Sequence, residues 1–322
     1  MMLITGATGR VGRALVFKLI GKKEYRGKVR ILVRDMEAAN ALFGSAVKAF
    51  KADLCSPRDF PTLENACMGV DTIVHCAAQV DYSIDEEEMM LANFMGTAQL
   101  LKAARLQKKR PRFIYISSTS IYRGSGHGID ENTKPHPFNA YGKSKLEAER
   151  AIRDSGLDYI ILRPPIVYGK GFTTGFSLVV RLIRKGQMFI LGSGSNYIPH
   201  IHLSDLVDAL ILALKSKLRK GEFNISSGEK VTQEESYRII AGDLGVAPPK
   251  IHIPKRIAYI AAGIGHALYV MVGRKPKIYK EYVHTLAESR VFNIERAERM
   301  LHYRPKVKFR EGILEMISGL DK

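Results

Sequence analysis

Thr5-Gly6-Ala7-Thr8-Gly9-Arg10-Val11-Gly12 lies between a short apolar run at residues 2–5 and an amphipathic stretch at 11–20. An isolated glycine-rich match says little. Between a strand and a helix, the same pattern reads as a cradle for a dinucleotide pyrophosphate. Gly6 allows the tight turn, Gly9 lets the backbone approach the phosphates, and Gly12 permits close helix–strand contact. The start of the helix adds free N–H groups and the positive end of a dipole. An ordinary glycine-rich turn is the competing reading.

Outward from this turn the alternation continues. Apolar runs predict strands over 2–5, 29–34, 47–51, 72–76, 113–117 and 159–162, with helical patterns over 11–20, 86–105 and 144–153 between them. Asp85-Glu86-Glu87-Glu88 is a good helix start, because carboxylates favour the positive end of the helix dipole. Strands this apolar, each followed by a helix, predict an α/β fold: a Rossmann-type doubly wound parallel sheet. Past Arg163-Pro164-Pro165 the alternation breaks down. The remainder supplies a helix after Ser204-Asp205, a strand near 223–225, a capped helix at Thr232-Gln233-Glu234-Glu235, and a charged tail ending in a helix. The expected organisation is a nucleotide-binding domain over 1–165, to which residues of about 200–228 return, and a smaller substrate lobe formed mainly by 166–322.

Composition narrows the setting. With 322 residues, 46% hydrophobic and 25% charged, the chain has ordinary globular values, which excludes wholesale disorder. Cys55, Cys67 and Cys76 are odd in number and form no Cys-x-x-Cys pair, so neither a disulfide framework nor a metal site is expected. The start, Met1-Met2-Leu3-Ile4-Thr5-Gly6, lacks the pattern of a secretory signal, and a cytoplasmic location is expected. Fifty Lys and Arg against 32 Asp and Glu give +18, a surface that favours anionic partners. Lys108-Lys109-Arg110-Pro111-Arg112 would be the nucleic-acid argument, but it reads better as a solvated loop and no nucleic-acid motif accompanies it.

At the end of the second strand an acidic residue would bond the ribose hydroxyls, whereas Arg would accommodate a 2′-phosphate. Strand register puts Arg34 there, favouring NADP(H) over NAD(H). A slip of one residue would substitute Asp35. Arg10 would add a second cation. The chemistry is carried by Tyr141-Gly142-Lys143-Ser144-Lys145, where Tyr141 and Lys145 stand one helical turn apart. A Tyr with a pKa of about 10 is a poor base. A neighbouring ammonium should stabilise its phenolate and make it a usable proton donor and acceptor. Hydroxyls at Ser117-Ser118-Thr119-Ser120 end the fifth strand, the sheet edge where ligands bind. Asn93, in mid-helix, reads either as a proton-relay member or as a capping or solvent-facing residue.

Together these segments resemble the extended short-chain dehydrogenase/reductases. The resemblance runs through Thr5-Gly6-x-x-Gly9-x-x-Gly12, Asp53-Leu54, His75-Cys76-Ala77-Ala78, Asn93-x-x-Gly96-Thr97 and Ser117-Ser118. It continues through Tyr141-x-x-x-Lys145, Leu162-Arg163-Pro164, Val167-Tyr168-Gly169 and Ile201-His202-x-x-Asp205. It implies a nicotinamide cofactor and a Ser-Tyr-Lys mechanism with Ser118, Tyr141 and Lys145 catalytic and Asn93 in support. It also implies cofactor contacts from Thr8, Val11, Asp53, Leu54, Ala77, Ala78, Pro164 and Ile166, beside Gly6, Gly9, Arg10, Gly12, Arg34, Tyr141 and Lys145.

Nucleotide-sugar members of that group commonly carry an Asn after the sixth strand and an Arg before the His-x-x-Asp segment. This chain has Pro165-Ile166 and Asn196-Tyr197-Ile198-Pro199-His200 instead. The C-terminal part resembles the 3β-hydroxysteroid dehydrogenase and dihydroflavonol reductase branch, on Gly273-Arg274-Lys275-Pro276, Val291-Phe292-Asn293-Ile294-Glu295-Arg296-Ala297 and Leu301-His302-Tyr303-Arg304-Pro305. The expected reaction therefore interconverts a carbonyl and a secondary alcohol on a hydrophobic, sterol-, terpenoid- or flavonoid-like molecule. A nucleotide-sugar epimerase or dehydratase is the alternative. A non-catalytic NADP(H)-binding regulatory or nucleic-acid-binding protein is the alternative of another class. The apolar run 257–272 is short for a membrane span and is expected to be a buried helix over the substrate lobe. The lesser reading is an interfacial helix touching an anionic membrane. A homodimer through the main-domain helices would suit the resemblance.

Overall fold

Seven runs of four or five residues pair side by side, all parallel: β1 (Met2–Thr5), β2 (Val29–Val33), β3 (Lys48–Lys51), β4 (Thr72–His75), β5 (Arg112–Ile116), β6 (Tyr159–Arg163) and β7 (Lys220–Asn224). Their order across the sheet is β3-β2-β1-β4-β5-β6-β7. The structure, a computed structural model, describes residues 1–81, 83–271 and 280–320. Successive residues of a strand face opposite ways, and both faces are covered. Ile4, Ile31, Val74 and Ile114 meet the helices Arg10–Ile20 and Leu203–Lys215 on one side. Leu3, Leu32, Ile73 and Phe113 meet Phe60–Cys67, Gly96–Arg105 and Ala140–Asp154 on the other. This is the doubly wound α/β sheet that the strand–helix alternation predicted.

The order in which successive strands are laid down reverses between β1 and β4, so a crevice opens beyond their carboxyl ends. The turn after β1, the loop after β4 and the hydroxyls after β5 share that edge. β7 closes the far edge, delivered by residues that first build part of the second lobe. The lobe has its own core, in which Val179, Val180, Tyr237, Ile240, Phe309 and Ile313 join the helices Phe176–Arg184, Gln233–Leu244 and Phe309–Leu320. Thr232 and Glu235 form a capping box at Gln233–Leu244. The Asp205 carboxylate accepts from the backbone of Lys306 and Val307 at 3.1 Å each, fastening the C-terminal segment to the domain.

Three local departures have physical causes. Helix 86–105 contains a π-turn at Leu91–Met95, and Asn93 sits inside it. Within the glycine-rich loop 124–137, Gly126–Ile129 is a strand, paired in parallel with Arg290–Phe292. The third departure corrects the buried-helix expectation for the first half of 257–272, residues 257–264. In helix Lys255–Met271, over residues 255–264, Ala262 is buried in a cluster with Leu191, Val283 and Ala287, while Ile257, Ile260 and Ile264 are exposed. Val272 and the motif Gly273-Arg274-Lys275-Pro276 lie outside the described residues. No helix among the described residues is long and apolar enough to cross a membrane.

Candidate active site

The glycine turn is tight. Gly6 has φ +66°, and a Cβ there would lie 2.6 Å from the Ala77 amide nitrogen. A Cβ on Gly12 would lie 2.2 Å from the Gly6 carbonyl oxygen. Gly9 caps helix Arg10–Ile20 without any side-chain bond, and the first turn has no acidic residue. An uncapped helix start bearing free N–H groups suits an anion. These residues fit the pyrophosphate of a dinucleotide, with Thr8 and Val11 in the same turn. Arg10 is engaged elsewhere. Its guanidinium donates to the Gly171 carbonyl (2.6 Å) and to the Thr173 hydroxyl (2.7 Å) and stacks on Phe172, so it links the turn to the second lobe.

Arg34 is the first residue past β2 and is exposed. Asp35 is occupied as the cap of helix Met36–Phe43, its carboxylate accepting from the Ala38 amide at 2.9 Å. Asp53 folds the next loop, accepting from the Cys55 amide (2.8 Å). Leu54 lies 3.2 Å from where a Cβ of Gly96 would be. Ala77 and Ala78 follow β4, and Pro164 and Ile166 follow β6, the Pro164 carbonyl accepting from the Thr119 amide at 3.0 Å.

Ser118, Tyr141 and Lys145 are all buried at the edge of the sheet. Asn139 starts the Tyr-bearing helix by accepting from the Gly142 amide (2.7 Å). Ser118 caps the short turn Thr119–Ile121, and its hydroxyl donates to Ser120 (3.0 Å). Burial pushes the Tyr141 pKa up to about 12, outweighing the opposite pull of the neighbouring Ser118 hydroxyl. Burial lowers Lys145 to about 7. The ammonium donates to the Ile116 carbonyl (2.6 Å), lies 4.4 Å from the centre of the Tyr115 ring and 5.9 Å from that of Tyr141. Lys145 is not among the groups that lower Tyr141, so the sequence-based expectation of an ammonium-acidified phenol needs correcting for the chain by itself. Low polarity drives both groups toward their neutral forms.

Asn93 is buried and committed to structure. Its amide spans the Gln79 backbone, accepting from N–H (2.7 Å) and donating to C=O (2.9 Å), and it also donates to the Ser144 hydroxyl (3.0 Å). Ser144 in turn donates to the Tyr141 carbonyl (2.8 Å). Asn93 thus joins the loop after β4 to the helix of Tyr141.

The sequence motifs contain His75 and Arg163 without a role for either, and they do not include Tyr115. His75 lies between Thr5 and Thr97, and burial lowers its pKa to about 3, so it is neutral. Its tautomer follows from the bonding. The Thr97 hydroxyl donates to the Asn93 carbonyl (2.5 Å) and so accepts from His75 Nε2–H; Nδ1 then accepts from Thr5, which takes the Ala77 amide. Arg163 is fully buried and donates twice to Glu149 (2.9 and 2.7 Å), once to Tyr122 (2.8 Å) and once to Glu222. Tyr115 supports Lys145 on one side and stacks on His75 on the other.

A family model described as the NAD dependent epimerase/dehydratase family matches residues 2–226. The chain belongs to that family, the extended short-chain dehydrogenase/reductases, and is an enzyme of that NAD(P)-dependent type. It is 32% identical over 254 residues to a UDP-glucose 4-epimerase of Vibrio cholerae, covering 74% of each chain. It is 24% identical over 335 residues to a mouse (Mus musculus) sterol-4-alpha-carboxylate 3-dehydrogenase, decarboxylating, covering 98% of this chain and 90% of the relative. The crystal structure of a Bacillus cereus UDP-glucuronic acid 4-epimerase in complex with NAD superposes with a TM-score of 0.79 over 99% of this chain and 98% of that one, at 21% identity, a likeness of fold.

Proposed function

We propose that the chain interconverts a carbonyl and a secondary alcohol on a hydrophobic small molecule, using NADP(H). The observation carrying this reading is the buried group of Ser118, Tyr141 and Lys145 at the same sheet edge as the glycine turn. When bound, the nicotinamide supplies or accepts the hydride. Tyr141 donates its phenolic proton to the substrate oxygen during reduction. Ser118 would hydrogen-bond the same oxygen, and Lys145 would hold the ribose of the bound cofactor. Gly6, Thr8, Gly9, Val11 and Gly12 would hold the pyrophosphate, and Asp53, Leu54, Ala77, Ala78, Pro164 and Ile166 would line the remainder. Asn93 acts as a positioning residue.

NADP(H) is favoured because Asp35 is used as a helix cap, which leaves exposed Arg34 as the side chain available to a 2′-phosphate. Exchanging Arg34 for Asp is expected to reduce the NADP/NAD ratio of kcat/KM by at least about tenfold, a charge-assisted bidentate contact being worth more than 1.4 kcal/mol. An unchanged ratio would reject Arg34 as the discriminator.

A hydrophobic substrate suits the second lobe. Ile198 and His200, in the segment before His202, turn into its core. Arg181, a cation available in sequence for a diphosphate, donates to the Thr173 carbonyl at 2.7 Å. The likeness to the Vibrio cholerae UDP-glucose 4-epimerase favours a second reading, epimerisation of a nucleotide sugar. A turnover and thermal-shift screen of the NADPH-loaded protein against sterol-like ketones, flavonoid-like ketones and UDP-sugars separates them. Consumption of NADPH with the ketones is the expected result. Stabilisation by UDP-sugars alone would replace the proposal with the second reading.

A further inference from the structure

Helix Lys255–Met271 combines two properties. Along its outer side Ile257 (56% exposed), Ile260 (62%) and Ile264 (56%) follow one another at i, i+3 and i+7, with Ile251 (61%) just ahead of the helix. That spacing aligns them on one face, and isoleucines are otherwise mostly core residues. The second property is charge. Residues 244–280 hold seven Lys or Arg and no Asp or Glu, whereas +18 spread evenly over 322 residues would give this segment only about +2. Lys250, Lys255 and Arg256 are exposed, and none pairs with a carboxylate among the described residues. Mean hydropathy of the whole chain is −0.09, so the strip is a local feature.

We propose that this face docks on an anionic lipid bilayer, the isoleucines entering the acyl boundary while Lys250, Lys255 and Arg256 remain among the head groups. An amphipathic helix with an apolar face and a cationic border binds in that way. A second copy of the chain is a poorer occupant. A two-fold contact through this strip would bring Lys255 and Arg256 toward their own kind, with no acidic side chain between 244 and 280 to offset them. Docking is independent of the proposed reaction, because none of these side chains belongs to the catalytic group.

The test is sedimentation of the full chain with vesicles of phosphatidylcholine alone and with one-third phosphatidylglycerol, at low and high salt. The expected result is binding to the anionic vesicles only, weakened by salt. Ile257→Ser/Ile260→Ser/Ile264→Ser should reduce it by at least about tenfold, and Lys255→Glu/Arg256→Glu comparably, with circular dichroism unchanged in both. Equal binding by the isoleucine variant, or no binding by the unaltered chain, overturns the proposal. So does a fall from dimer to monomer by light scattering in that variant without loss of vesicle binding, which would make the strip an interface between copies.

Discussion

Tyr141→Phe is expected to reduce turnover by about 10²–10⁴-fold, the usual contribution of a positioned general acid or base. The ring is buried between the sheet edge and the helix it starts, so Phe keeps the packing and removes one hydroxyl. NADPH binding and the unfolding midpoint should therefore stay within error while kcat falls. In the proposed reaction that hydroxyl is the acid that supplies a proton as the alkoxide forms, and Ser118 would bond the same oxygen without replacing the donor. Because burial pushes Tyr141 up to about 12, the phenol is fully protonated at neutral pH, which is the form needed for reduction. The measurement is kcat with whichever ketone the screen selects. Retention of full activity would remove Tyr141 from the chemistry and the proposed mechanism with it.

The second large effect is on stability. Arg163→Met should destabilise the fold by about 3–5 kcal/mol, the range for removing one partner of a buried ion pair. Arg163 is 1% exposed and Glu149 0%, so without the guanidinium two oxygens of Glu149 keep only Arg153, which reaches one of them at 2.7 Å. Glu222 would still hold Arg153 from a partly exposed position. Arg163→Lys should recover only part of the loss, since an ammonium cannot reproduce the two parallel bonds to Glu149. Arg163→Met combined with Glu149→Leu should recover more, by removing the stranded charge. Urea unfolding of the four proteins decides it. A cost under about 1 kcal/mol for Arg163→Met would mean that water reaches the pocket and the network is not truly desolvated.

How far the sequence could be read follows from the range of each interaction. Parallel strands buried on both faces are written as continuous apolar runs, so β1 through β6 were legible to within one residue at either end. That Tyr141 and Lys145 share one helix is local to one turn and equally legible. Arg163 is different, because its partners stand 14 residues before it and 59 after, and no local pattern announces them. Strand Gly126–Ile129 reads as loop because two of its four residues are glycines, and its partner Arg290–Phe292 is 164 residues away. For helix Lys255–Met271 periodicity gives no help: where nearly every position is apolar, only the packed structure distinguishes the covered side from the open one. Likewise the pKa values of Tyr141 and Lys145 depend on burial, a property of the assembled fold.

The wide turn at Leu91–Met95 has a geometric consequence. A π-turn is one residue inserted into an α-helix, and one residue advances the helix by about 100°. Helix 86–105 is thus two screws out of phase, the first aiming Asn93 at Gln79 and Ser144, the second laying Gly96 against Leu54. Deleting a residue of 91–95 other than Asn93 is expected to leave the helix continuous but rotate one half against the other, setting the clasp on the Tyr141 helix against the contact at Leu54.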